Sequence, residues 1–149
     1  MSKIITKKMI KDYQELGVGY IPNLFKKHVS NLKKGIEFNL NNPGPYAAEN
    51  LRKKENGRFF DDYCNWERIP EFRKTIFDNE IIAAAAKLMQ SQSVQLFHDH
   101  VLVKEPGTSK DTPWHSDGPY YFINGKKTIS FWVPLDPVKE ASLRMVARS

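Results

Sequence analysis

Pro113-Trp114-His115-Ser116-Asp117-Gly118-Pro119-Tyr120-Tyr121 is the stretch on which the reading of this chain turns. It sets a His-x-Asp pair among aromatic and turn-forming residues. In extended backbone, residues i and i+2 share a face. His115 and Asp117 would then aim an imidazole and a carboxylate the same way, with Ser116 turned aside. Those are two of the three protein donors of a two-His-one-carboxylate iron site.

The flanking sequence reads as β structure. Upstream, residues 93–104 alternate, with Phe97, Asp99, Val101 and Val103 on one face and His98, His100, Leu102 and Lys104 on the other. A loop through Pro106-Gly107 leads into the motif. Downstream, Ile129, Phe131 and Val133 oppose Thr128, Ser130 and Trp132, which predicts a strand over 127–135. Residues 143–147 predict the opening of another strand.

The first ninety residues read as mainly helical. Thr6 is placed to cap a helix ending near Leu16, before Gly17. Phe25, Val29, Leu32 and Ile36 form an amphipathic stripe, which Asn and Pro residues end before 46. Residues 46–66 read as polar and irregular, with aromatics at Phe59, Phe60, Tyr63 and Trp66. Pro70 opens a third helix, and Asp78 or Asn79 caps a fourth through four alanines and Leu88. The expectation is one α+β domain over 1–149. Residues 1–90 form its helical portion, and residues 91–149 hold the first strands of a β core. Three strands cannot close a sandwich or barrel, so an open sheet edge would remain, a route to self-association.

At 149 residues, 40% of them hydrophobic, the chain is long enough for a real core. It has no apolar run of membrane-spanning length, no secretory signal and one cysteine, Cys64, which fits a reducing cytoplasm. Cys64 reads as a passive, half-buried thiol and His28, among lysines, as a solvated side chain. The net charge of +6 is spread over scattered pairs such as Lys26-Lys27, Lys53-Lys54 and Lys126-Lys127. Solvated helix faces explain it, and neither nucleic acid nor membrane is expected as a partner.

Three segments carry a family resemblance: residues 97–107 (FHDHVLVKEPG), Trp114-His115-Ser116-Asp117, and residues 129–136 (ISFWVPLD). Together with Gly19-Tyr20-Ile21-Pro22 and Ile69-Pro70-Glu71-Phe72-Arg73, they make the chain resemble the phytanoyl-CoA dioxygenase family of Fe(II)/2-oxoglutarate-dependent oxygenases. The resemblance implies a double-stranded β-helix (jelly-roll, cupin-like) core with helices packed on one side, incomplete in this chain. It implies Fe(II), 2-oxoglutarate and O2, and hydroxylation of a small organic or acyl substrate. His115 and Asp117 would be metal ligands, and His100 and Trp132 would line the 2-oxoglutarate pocket. His98 is ranked as structural or substrate-side.

Two departures stand out. The family usually has Gln between the ligands, where this chain has Ser116. The family also places a distal histidine and a co-substrate arginine later in the chain. No histidine follows Asp117, and the later arginines, Arg144 and Arg148, match neither role. The chain is therefore expected to be an N-terminal portion of such an enzyme. The alternative is a non-catalytic jelly-roll binding module with a degenerate metal site. Zinc hydrolysis drawing on His98, His100, His115 and Asp117 is a weaker option. For His100 an ordinary strand position, and for Trp132 core packing, are the readings that need no cofactor.

Overall fold

The structure, a computed structural model, describes residues 4–51, 56–109, 111–125, 127–138 and 143–148. Lys53, Lys54 and Lys126 lie outside the described residues. The chain forms two compact units, each assembled from separate segments. One comprises residues 1–29, 77–95 and 116–149, and the other residues 30–76 and 96–115.

Local signals set the helices. Thr6 accepts a hydrogen bond from the Met9 amide at 3.2 Å and opens α1, Lys7–Leu16. Gly17, at φ 76°, closes it, a left-handed conformation that costs glycine nothing. The stripe of Phe25 to Ile36 becomes a short 3-10 turn, Lys26–His28, followed by α2, Val29–Asn41. α3 runs Pro70–Ile76 and α4 Asn79–Leu88. Asp78 caps α4, accepting from the Glu80 amide at 2.8 Å.

In the first unit Ile5, Leu24, Ile81, Ala84 and Leu88 are buried together. Met9, Ile10, Ile129 and Phe131 pack against them. Phe25 meets Phe131 edge to face, centroids 5.4 Å apart. The stretch 127–135 keeps its predicted alternation: Ile129, Phe131, Val133 and Leu135 are half-buried, while Thr128, Ser130 and Trp132 are exposed. It is not a strand, however, because no neighbouring backbone pairs with it among the described residues. The strand predicted at 143–147 is absent too. There the chain turns, and the Arg148 amide donates to the Leu16 carbonyl at 3.0 Å.

The second unit holds the sheet. β1 (Ala48–Glu49), β2 (Phe59–Tyr63) and β3 (His100–Lys104) pair antiparallel in that order. Register places Phe60 opposite Val103 and Tyr63 opposite His100. The sheet packs Phe60 and Val101 against Ile69 and Phe72, with Leu32, Ile36 and Val103 around them. Each such apolar side chain contributes about 1.5–3 kcal/mol on burial. The irregular segment predicted at 46–66 thus contains two strands, and β2 is the central one. Its pattern is hidden by Asp61 and Asp62. Asp62 is fully buried and accepts from Asn39 Nδ2 at 2.8 Å, the Gly44 amide at 2.7 Å and the Tyr63 amide at 2.9 Å. The predicted strand over 93–104 is realised only from His100 onward, with Val101 buried and His100, Leu102 and Lys104 exposed.

Candidate functional site

Asp99 lies just before β3 and points inward, as the alternation predicts. Its two oxygens accept the Asn65 and Trp66 amides at 3.1 and 3.0 Å, which ties the turn after β2 to the start of β3. Both are backbone contacts, so this carboxylate is structural. His98 and His100 face the other way.

That opposite face carries a row of rings. Tyr63 stacks on His100, its partner across the strands, with centroids 4.0 Å apart and planes 16° from parallel. His98 meets Tyr63 edge to face at 5.7 Å. His100 Nε2 lies 3.7 Å from Asp61 Oδ2, and Asn50 Nδ2 donates to the other oxygen of Asp61 at 2.6 Å. His100 is therefore neither a bare strand residue nor a core residue. It is an exposed imidazole with a defined face and a carboxylate at one nitrogen.

His115 is exposed, and its Nδ1 lies 2.8 Å from the Pro113 carbonyl oxygen. A carbonyl only accepts, so Nδ1 carries the proton and Nε2 is the lone-pair nitrogen of the neutral ring. Metal-binding histidines are commonly held in this way. Asp117 is also exposed and sits 3.4 Å from the Tyr121 hydroxyl, which itself lies 3.2 Å from Ser130 Oγ. The extended backbone expected through the motif ends here: Asp117 has φ −73° and ψ −25° and heads the 3-10 turn Gly118–Tyr120. His115 closes a segment of the sheet-bearing unit, and Asp117 belongs to the other unit. Trp132 is 50% exposed, so the core-packing role falls instead to Phe131 beside it.

The donor types suit a borderline divalent ion such as Fe(II). They are two and not three. Among the described residues no group of three or more His, Cys, Asp or Glu side chains could hold a metal.

Two other readings are corrected. His28 is buried, with Nε2 3.3 Å from Asp78 Oδ2, and is not a solvated surface residue. Its partner is fifty positions away, so nothing local reveals the burial. Cys64 is exposed, not half-buried, and holds a left-handed φ of 59°. Partial desolvation, then the charges of Asp99 and Asp62, push its thiol up, which agrees with a passive role.

One cavity of about 330 Å³ opens in the first unit, lined by Tyr13, Gln14, Gly17, Met89, Gln90, Lys127 and Thr128. Its polar side chains are engaged by backbone carbonyls: Tyr13 with Thr128, Gln14 with Leu88 and Lys127 with Gln90, each at 2.6 Å. None of the four sequence-predicted site residues lines it.

By the match of a family sequence model, the chain falls in the general class of non-haem iron, 2-oxoglutarate-type oxygenases. Within that class, the sequence model of the phytanoyl-CoA dioxygenase (PhyH) family matches residues 13–149, and the chain belongs to that family. Neither curated proteins nor solved structures gave a match. Among the described residues no helix is long and apolar enough to cross a membrane.

Proposed function

We propose that these 149 residues supply one side of the active site of an Fe(II)- and 2-oxoglutarate-dependent dioxygenase that hydroxylates a small organic or acyl substrate. The observation that carries the reading is the family match over residues 13–149, with His115-Ser116-Asp117 inside it. His115, through Nε2, and Asp117 would hold the ion. His100 and Trp132 would flank 2-oxoglutarate. Bound there, iron supplies the oxygen chemistry, while the protein orients the substrate and excludes side reactions. No histidine occurs among residues 118–149, so these residues supply two of the three protein ligands of such a site. Two donors hold the ion weakly, so turnover by these residues alone is expected to be poor. The three-stranded sheet would be the start of a jelly roll, and the side of β3 away from β2 a place for a second copy to pair.

Anaerobic titration of the protein with Fe(II), followed by calorimetry, tests the assignment. His115→Ala and Asp117→Ala should each weaken binding at least tenfold, in line with the sensitivity of metal sites to their supporting groups. Binding unchanged in both variants would overturn it. The absence of a three-donor group among the described residues favours a second reading, a non-catalytic binding module of the same fold. That reading predicts no saturable Fe(II) binding in the parent protein.

A further inference from the structure

We infer that Tyr63 and Asp61 are positioning residues for His100, and that together they make the His100-bearing face of β2 and β3 a carboxylate-recognising wall. The inference rests on the proposed reading that His100 flanks 2-oxoglutarate.

An exposed histidine on a strand ordinarily samples several rotamers, and its ring has no fixed plane. His100 is held from two sides. Tyr63, directly opposite in the antiparallel register, covers one ring face at 4.0 Å and 16°. Asp61, two residues earlier and on the same face of β2, sets its Oδ2 3.7 Å from His100 Nε2. Asn50 fixes the carboxylate by donating to Oδ1 at 2.6 Å, so Oδ2 is the oxygen turned toward the imidazole. His98 closes the row by meeting Tyr63 edge-on at 5.7 Å.

The consequence is chemical. The stack fixes the plane in which the ring nitrogens lie, and Asp61 fixes its rotation. An imidazole of set orientation suits hydrogen bonding to a small dicarboxylate, and pre-setting it avoids an ordering cost on binding. Tyr63 and Asp61 touch no reacting atom in this scheme. They act through His100.

The experiment uses the full 149-residue chain and 2-oxoglutarate as probe. The readouts are the ¹H–¹³C resonances of the His100 ring and a binding titration without turnover. In the parent protein the stacked phenol should displace the His100 ring protons upfield. Tyr63→Phe should keep both this displacement and the affinity. Tyr63→Leu should abolish the displacement and weaken binding several-fold to tenfold, and Asp61→Asn should weaken binding with the displacement retained. If the parent protein binds 2-oxoglutarate and both Tyr63→Leu and Asp61→Asn bind it as tightly, the positioning role is wrong while the co-substrate reading stands. If the parent protein shows the ring displacement but does not bind 2-oxoglutarate, the co-substrate reading fails, and the role assigned to Tyr63 and Asp61 fails with it. Amide spectra of each variant report whether the sheet is retained.

Discussion

Replacing Asp62 with alanine tests the account of the sheet most directly. Asp62 is fully buried in the middle of the central strand, where an unpaired carboxylate would be prohibitive. Burial by itself would raise its pKa. The hydrogen bonds from Asn39, Gly44, Asn65 and Tyr63 outweigh that and hold the carboxyl below the usual range. Arg68 adds a cation 3.6 Å away at the edge of the cluster. Asp62→Ala strands three donors at once: the Asn39 amide, itself fully buried, and the backbone N–H groups of Gly44 and Tyr63. Each buried donor without an acceptor costs about 1–3 kcal/mol. Water entering the vacated space recovers part of this, so the expected loss is about 3–5 kcal/mol, similar to breaking a buried ion pair. Against a total stability of about 5–15 kcal/mol, that is a large fraction.

Equilibrium urea denaturation followed by circular dichroism measures it. With a slope of about 1–3 kcal/mol per molar, the midpoint should fall by at least about 1 M. A loss below about 1 kcal/mol would refute the claim that Asp62 organises the cluster. The acid response has a definite sign. The group's pKa is lower in the folded chain than in the unfolded one. Its stabilisation is therefore complete above the unfolded value of about 4 and is lost as pH falls from there through the folded value. The parent protein should lose stability over that acid range, and Asp62→Ala should lose less of what it has left.

Gly35→Ala places a methyl group 2.6 Å from Phe72 Cε1 and 3.0 Å from Glu71 Cβ. The helix-propensity gain of about 1 kcal/mol should be outweighed by overpacking of about 1–3 kcal/mol, giving a net drop in melting temperature by calorimetry. Gly107 has φ +95°, and an added Cβ would lie 2.6 Å from the Asn56 backbone oxygen. Gly107→Ala should cost about 1–3 kcal/mol and speed hydrogen exchange at Glu105, whose amide donates to the Arg58 carbonyl at 2.8 Å. Cys64, though exposed, should alkylate with iodoacetamide at neutral pH more slowly than a free cysteine peptide, because its thiol is pushed up. A rate equal to or above the peptide's would contradict the assigned environment.

The helices were legible because their signals are local. Thr6, Gly17 and Asp78 each act within one turn of the helix they bound. The sheet was legible only in half. Val101 and Val103 advertise β3, whereas β2 hides because its buried Asp62 looks like a surface residue. Its partners Asn39 and Gly44 lie about twenty positions earlier, so the sequence around Asp62 does not show that burial is satisfied. Residues 127–135 show the converse. Their alternation correctly predicts which side chains turn inward, yet periodicity reports facing and not pairing, and a strand needs a neighbour to pair with. Of the candidate site, the sequence supplied His100, Trp132, His115 and Asp117 as expectations. The stack of Tyr63 on His100 was not legible, since it depends on a register between strands that only the fold supplies.

This chain contains two runs that set histidine and aspartate close together, and their contrast bears on the proposal that the second is a ligand pair. In His98-Asp99-His100 the carboxylate lies on the face opposite the imidazoles, and both its oxygens receive backbone amides. Moving it toward a metal would strand the Asn65 and Trp66 N–H groups and loosen the turn that brings β2 beside β3. In His115-Ser116-Asp117 both functional side chains are exposed, and the imidazole has its Nδ1 proton committed to a carbonyl. The first run is built to hold a sheet together and to present rings on its outer face. The second has the composition and tautomer of a metal-binding pair. Exchanging Asp99 for alanine should therefore unfold the sheet without changing which residues compete for iron, whereas exchanging Asp117 should change iron affinity without moving the denaturation midpoint. The opposite pattern would reassign both runs.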